Sequence, residues 1–281
     1  MLHKVQYRNK FKKGMIIFMK KCAVINDISG FGKCSLTASI PVMSAMGIQV
    51  NPVVTGVFTN QTGYDSFDSV DLTEMIPKVT RQWSNLSPHF DGILTGFLLC
   101  DRQYEYILDF IARFKSCDTL LLVDPVMADD GEVYGTYTPG MVEGVKRLCS
   151  VADIITPNLT ELRILSGEND IILAGEKLLE SGIQSVVVTG IVENGRISNY
   201  VFSDGSVKTY EAEFIESATQ GGSFSGTGDI FSSFVMGKIL NNVSIFDAVE
   251  QAVDFISQAI EASDIKNRND GIDFETFLKN I

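Results

Sequence analysis

Thr119-Leu120-Leu121-Leu122-Val123-Asp124-Pro125-Val126 is an apolar run that stops abruptly at an acid and a proline. It is too short for a helix and apolar throughout, so it reads as a strand over residues 119–123 that is buried on both faces. The same alternation continues outward in both directions. Before it the pattern predicts strands over 22–26, 50–55 and 92–95, separated by helices over 35–46, 72–86 and 102–114. After it come a helix over 140–149, a strand over 154–156, short helices over 159–165 and 171–179, and a strand over 185–189. Residues 197–202 and 207–214 alternate like an antiparallel pair joined at Asp204-Gly205, and helices over 229–240 and 245–262 follow. Strands alternating with helices imply an α/β fold with a central, mainly parallel sheet and helices on both faces. Such folds bind ligands beyond the carboxyl ends of their strands, so the loops that follow the strands carry the functional information.

The 281 residues are 45% hydrophobic and 21% charged, which suits one α/β domain over residues 21–281. A net charge of −12 argues against nucleic acid or an anionic membrane as a partner. The charge is uneven: the first 21 residues hold seven Lys or Arg and no acid, leaving 16 basic against 35 acidic residues beyond Lys21. Residues 1–20 therefore read as a flexible basic extension, with Met19 as a natural alternative start. Its apolar run from Met15 to Met19 is too short for a signal peptide or a membrane span. Five scattered cysteines and two histidines exclude a zinc site, disfavour a disulfide framework and point to the cytoplasm. The cysteines themselves read as small core residues.

Gly226-Thr227-Gly228-Asp229, directly before an apolar helical run, carries the clearest chemistry. Two glycines let successive N–H groups face one point, and the following helix aims its positive end there. Asp229 adds a carboxylate able to accept a proton from a hydroxyl while a phosphoryl group sits over the cradle. An ordinary capped helix start remains the alternative. The loop Asp27-Ile28-Ser29-Gly30-Phe31-Gly32-Lys33 fails two nucleotide motifs: Asp27 stands where a Walker A loop needs glycine, and Ser35 where a dinucleotide fingerprint needs its third. What survives is Asp27 facing a polar ligand edge, or capping a turn. Phe58-Thr59-Asn60-Gln61-Thr62-Gly63-Tyr64 and Thr95-Gly96-Phe97 mix aromatic rings with hydrogen-bonding groups, which suits a flat heteroaromatic ligand. Asp124 ends a strand, well placed for Mg2+. Asn158 and Glu161 share one helix face, as a ligand pair or as a capping box.

In this order the motifs Asn-Asp-Ile-Ser-Gly-Phe-Gly, Phe-Thr-Asn-Gln-Thr-Gly-Tyr, Thr-Gly-Phe, Asp-Pro-Val-Met, Thr-Pro-Asn-Leu-Thr-Glu-Leu and Gly-Thr-Gly-Asp resemble the ribokinase superfamily, and within it the pyridoxal kinase branch. The resemblance runs from about Lys21 to the helix that begins at Ile245. It implies a three-layer ribokinase-like fold and ATP-dependent phosphorylation of the 5′-hydroxymethyl group of a B6 vitamer. Under it Asp229 is the general base, and the amides of Gly226, Thr227 and Gly228 form an anion hole. Asp124 and Glu161 hold Mg2+; Asp124, Asn158, Glu161, Thr189 and Phe224 serve the nucleotide. Asp27, Thr62, Phe58 and Phe97 take the ring, and residues 128–137 form a flap over ATP. The resemblance further implies a homodimer and makes a monovalent cation a candidate alongside Mg2+. Pyridoxal kinases usually carry Ser where Asp27 stands and His where Gln61 stands. Hydroxymethylpyrimidine kinase is therefore the alternative, and a non-catalytic B6 or nucleotide sensor, expected to lack the base, is a remoter one.

Overall fold

The computed structural model describes residues 19–215, 224–264 and 267–281. The extension expected over residues 1–20 lies, apart from Met19 and Lys20, outside the described residues. The strands are β1 (Lys21–Ser29), β2 (Gln49–Phe58), β3 (Ser69–Asp71), β4 (Gly92–Thr95), β5 (Leu120–Val123), β6 (Ala128–Asp129), β7 (Glu132–Val133), β8 (Ile154–Ile155), β9 (Ser185–Glu193), β10 (Arg196–Ser203) and β11 (Ser206–Glu213). The helices, numbered as they occur, are α1 (Ser35–Ala45), α2 (Ile76–Leu86), α3 (Asp101–Phe114), α4 (Pro139–Cys149), α5 (Leu159–Ser166), α6 (Ile171–Glu180), α7 (Thr227–Leu240) and α8 (Ile245–Ala262). Nine strands form one sheet in the order β11-β10-β9-β8-β5-β4-β1-β2-β3, and β6 pairs with β7 separately. From β9 through β2 every pairing is parallel; β10, β11 and β3 are antiparallel additions at the two edges.

The period-two geometry of the strands splits the core between two faces. Ala23, Ile25, Leu121 and Val123 point toward α2 through α6, where Tyr104, Ile107, Phe110 and Leu162 cover them. Cys22, Val24, Leu94 and Leu122 point the other way, under α1, α7 and α8, against Leu36, Met43, Ile230 and Phe234. Residues on successive strand positions thus belong to different cores, which is why β1 and β5 carry no polar alternation. The expected three-layer α/β architecture is the one found.

Several details differ from the sequence pattern. The strand expected to stop at residue 189 continues to Glu193 and turns at Asn194-Gly195 into β10. Gly190, at φ 73°, and a register shift between Ser198 and Tyr200 interrupt the alternation that would have revealed it. Edge strand β3 is three exposed residues long and leaves no apolar signature. Of the cysteines, Cys22, Cys34 and Cys149 are buried as expected, but Cys100 is only partly covered and Cys117 is exposed. Beyond α8 the chain does not trail away: Ile272 and Phe274 are buried in the core under α1 and α8. Among the described residues no helix is long and apolar enough to cross a membrane.

Candidate active site

Because β1, β2, β4, β5 and β8 run parallel, their carboxyl ends lie along one edge of the sheet, and a cleft of about 1320 Å3 opens there. Asp27, Phe58, Thr62, Phe97, Asp124, Asn158, Glu161, Thr189, Phe224, Gly226, Thr227, Gly228 and Asp229 all line it. Residues far apart in sequence are brought together by topology alone.

The Gly226-Thr227-Gly228-Asp229 segment opens α7, with Gly226 at φ 80° as the N-cap. Among the described residues the N–H groups of Gly226 and Gly228 make no hydrogen bond within the protein, whereas the Thr227 N–H leans on the Phe224 carbonyl at 3.4 Å and its hydroxyl donates to the same oxygen at 2.9 Å. The cradle therefore keeps donors for an anion at the positive end of a 14-residue helix. Asp229 stands beside it with both carboxylate oxygens fixed: Asn26 Nδ2 donates to Oδ1 at 2.8 Å and the Ser35 backbone N–H donates to Oδ2 at 2.7 Å. Loss of water around Asp229 pushes its carboxyl up to about 6; the Ser35 N–H opposes this, Asp27 adds to it, and Asn26 opposes it.

Asn26 is a site residue that the motifs alone did not single out. Its Oδ1 accepts from the backbone N–H groups of Asp27, at 3.0 Å, and Phe97, at 2.9 Å. Gly96 makes room for it, since a Cβ at that position would lie 2.4 Å from Asn26 Nδ2. The glycine of Thr95-Gly96-Phe97 is thus explained by a polar side chain passing beneath it. The signal available in sequence was an asparagine closing an otherwise apolar strand.

Asn158 and Glu161 form a reciprocal capping box at the start of α5: the Glu161 N–H donates to Asn158 Oδ1 and the Asn158 N–H to Glu161 Oε2, each at 2.9 Å. They also do more. Glu161 Oε1 accepts from the N–H groups of Met127, at 3.0 Å, and Ala128, at 3.4 Å, while Asn158 Nδ2 donates to the Ala128 carbonyl at 2.7 Å. The pair therefore anchors the root of the β6–β7 hairpin, which turns at Asp130-Gly131 with φ values of 49° and 87°. Burial pushes the Glu161 carboxyl up to about 7 against these three N–H groups. Asp124 is raised well above the ordinary carboxylate range by burial, then by the charges of Glu161 and Asp229.

Hard oxygen donors of this kind suit Mg2+, which is typically held by one or two carboxylates together with substrate phosphates. Among the described residues no group of three or more His, Cys, Asp and Glu side chains forms a protein-only metal cage. The crowding of negative charge at Asp124 is the feature a divalent cation would relieve.

Two positions that set this chain apart from the resembled family are engaged internally. Gln61 donates through its side-chain amide to the Ser225 hydroxyl and accepts the Gly63 N–H, tying the aromatic loop to the cradle. Asp27 accepts from Ser29 Oγ at 2.9 Å and from Ser35 Oγ at 2.5 Å. Phe58 and Phe97 face each other with ring centroids 6.2 Å apart, and Thr62 sits exposed on the loop above. The segment after α8 also reaches the cleft: Arg268 and Asn269 line it, and Asn269 Nδ2 donates to the Gly63 carbonyl at 2.7 Å.

The buried acids set a pH dependence of stability. Unfolded Asp and Glu titrate near about 4, whereas Asp229 and Glu161 hold their protons up to about 6 and about 7 when folded. The folded state binds these protons more tightly, so stability is retained at low pH and lost as pH rises from about 4 to about 7. The ligand-free protein is expected to unfold at higher urea at pH 5 than at pH 8, by on the order of a few kcal/mol. Equal midpoints would remove the raised carboxyl pKa values of Asp229 and Glu161 from the description.

Residues 32–272 match the family model for phosphomethylpyrimidine kinase. A pyridoxal kinase of Paraburkholderia xenovorans is 26% identical over 249 residues, covering 83% of this chain and 84% of that one. A solved structure from Bacteroides thetaiotaomicron, provisionally assigned as a phosphomethylpyrimidine kinase and crystallised with pyridoxal, superposes with a TM-score of 0.86 at 34% identity, covering 94% of this chain and 96% of that one. A pyridoxal kinase from Leishmania donovani, solved with ADP and pyridoxamine, shares the fold at a TM-score of 0.79, with 23% identity over 93% and 95% of the two chains.

Proposed function

The chain belongs to the phosphomethylpyrimidine kinase family, and from that premise we propose that it transfers the γ-phosphoryl group of ATP to the 5′-hydroxymethyl group of a B6 vitamer. The observation that carries the proposal is the pinned carboxylate of Asp229 at the mouth of the Gly226–Gly228 cradle, in a cleft whose other end is aromatic. Phosphoryl transfer has a loose transition state, so positioning and electrostatics supply most of the catalysis. In this reading the cradle amides receive the transferring phosphoryl oxygens while Asn158, Thr189 and Phe224 line the nucleotide end. Asp124 and Glu161 would hold Mg2+, which draws charge from the phosphates, with Glu161 acting largely through the hairpin it anchors. Phe58, Phe97, Thr62 and Asp27 border the space for the ring. Asp229 accepts the hydroxyl proton late, as the oxygen bonds to phosphorus, and its raised pKa makes it a better acceptor than an ordinary aspartate. A homodimer in the cytoplasm, and a monovalent cation beside Mg2+, belong to the same reading.

The matching family model favours one second reading, hydroxymethylpyrimidine kinase. A sensor without catalysis is disfavoured by the intact base. ATP consumption measured side by side with pyridoxal, pyridoxine, pyridoxamine and hydroxymethylpyrimidine decides among them. The expected result is ADP formation with the B6 vitamers at kcat/KM at least about tenfold above the pyrimidine, the discrimination of one well-placed contact. A reversed ratio selects the second reading, and no turnover with any compound overturns the kinase.

A further inference from the structure

We infer that Asp27 is a positioning residue for the base: by holding the Ser35 hydroxyl it keeps Ser35 in the backbone conformation from which the Ser35 N–H grips Asp229. The inference deepens the kinase reading above and rests on it for its kinetic consequences.

Asp27 is 4% exposed, and each of its carboxylate oxygens already accepts a hydrogen bond. Oδ1 accepts from Ser35 Oγ, Oδ2 from Ser29 Oγ, and the backbone N–H donates to Asn26 Oδ1. A carboxylate used in this way borders the cleft but has little left to offer a substrate. Ser35, in contrast, stands in a conformation its sequence does not favour. It is the first residue of α1, yet its φ is 52°, in the left-handed region that a side chain with a Cβ rarely enters. Such a conformation persists only where the surroundings over-determine it, and such sites tend to be functional.

Three bonds fix Ser35 from three directions. Its hydroxyl is held by Asp27 at 2.5 Å, its N–H by Asp229 Oδ2 at 2.7 Å, and its carbonyl accepts from Ser39 Oγ at 2.9 Å. Among the described residues the Asp229 bond is one of two that orient the base; the other comes from Asn26, the residue preceding Asp27. Both donors therefore descend from the end of β1 and the loop after it, and Asp27 lies between them. If the Asp27 acceptor is lost, Ser35 is free to relax to negative φ. Its N–H then turns away, and Asp229 is held at one oxygen only and free to rotate. A misplacement of about 1 Å at a reacting group costs up to about a hundredfold in rate.

The test uses the full chain carrying Asp27→Ala, Ser35→Ala or Ser35→Gly, with steady-state kinetics, melting curves and a crystal structure of each; alanine is chosen at position 27 because the asparagine amide oxygen could still accept the Ser35 hydroxyl. For Asp27→Ala and Ser35→Ala, kcat is expected to fall about tenfold or more while KM for both substrates stays within about twofold. Ser35→Gly keeps the N–H and enters positive φ without strain, so it should retain more of kcat than Ser35→Ala. Independently of any substrate, the Asp27→Ala structure should show the Ser35 N–H to Asp229 contact lengthened or broken. A raised KM for the alcohol at unchanged kcat would make Asp27 a substrate ligand and overturn the inference. So would unaltered Ser35 geometry in Asp27→Ala, or equal kcat in the two Ser35 variants. Should Asp27→Ala fail to fold, the pair at Ser35 decides. If the wild type phosphorylates none of the four compounds the kinase reading falls, and the geometry of the variants still judges the positioning role.

Discussion

Asp229→Ala is expected to lower turnover by at least about a hundredfold, the lower end of general-base contributions and about 2.7 kcal/mol of barrier. Nucleotide affinity should change little. The substitution removes the proton acceptor but leaves the Gly226 and Gly228 amides and the start of α7 in place. The groups it releases are Asn26 Nδ2 and the Ser35 N–H; Ser35 and Asp229 line the cleft, so water can take the place of the carboxylate. Folding should not suffer above neutral pH, because the carboxylate removed is one whose ionised form burial disfavours. The check is a set of three measurements: kcat, nucleotide affinity by calorimetry, and the urea midpoint at pH 8. Near-normal kcat would dismiss Asp229 as the base. A fall in kcat matched by loss of nucleotide affinity would instead make the residue part of the phosphate site.

Much of this arrangement was legible in sequence because parallel α/β folds concentrate function in a predictable place. Strand ends can be read from the residue that stops each apolar run: Phe97, Asp124 and Asn158 lie at or just beyond such stops, although β1 runs on past Asp27 to Ser29. What could not be read were the bonds between those loops. Asn158 and Glu161 stood as either a ligand pair or a capping box, and the folded chain makes the capping box while also using the pair to anchor the β6–β7 hairpin. That second role requires knowing that Met127 and Ala128 pass overhead, a fact of tertiary structure. Asp27 stood as facing a polar ligand edge or capping a turn, and Gln61 as a departure from the family pattern, because sequence reports a side chain's chemistry without its partner. The partners, Ser225 and Ser35, lie 164 and 8 residues away. The C-terminal segment escaped for a related reason: Ile272 and Phe274 are isolated apolar residues without period, and their burial depends on a groove that other elements create.

Gly226→Ala is expected to damage both stability and catalysis, since Gly226 sits where the cradle meets the loop that holds the base. A Cβ there would lie 1.9 Å from the Lys33 carbonyl oxygen and 2.9 Å from Cys34 Cα, both main-chain atoms that cannot rotate aside. The backbone φ of 80° is itself unfavourable for alanine, by about 1–2 kcal/mol, and overpacking adds about 1–3 kcal/mol. Nor can the loop retreat freely, because Lys33 is tethered to Asp273 at 2.5 Å and Glu275 at 3.0 Å, and a Cβ on Gly271 would already crowd its side chain at 2.8 Å. Relief must come from moving Gly226 out of the cradle or Cys34 away from it, and Cys34 is bonded directly to Ser35. Either movement separates the anion donors from the Asp229 carboxylate, so kcat should fall by about a hundredfold or more even in the fraction that folds. Gly228→Ala supplies the control. Among the described residues its Cβ would meet nothing closer than Asp124 Oδ2 at 3.8 Å, so it should fold with a near wild-type urea midpoint and raise KM for ATP only to the extent that a methyl group obstructs the phosphate. Equal behaviour of the two variants in urea would mean that the contact with Lys33 does not constrain the cradle. The expected difference between them assigns the Gly226 effect to the main chain of the loop before α1, through which the cradle and its base are held in register.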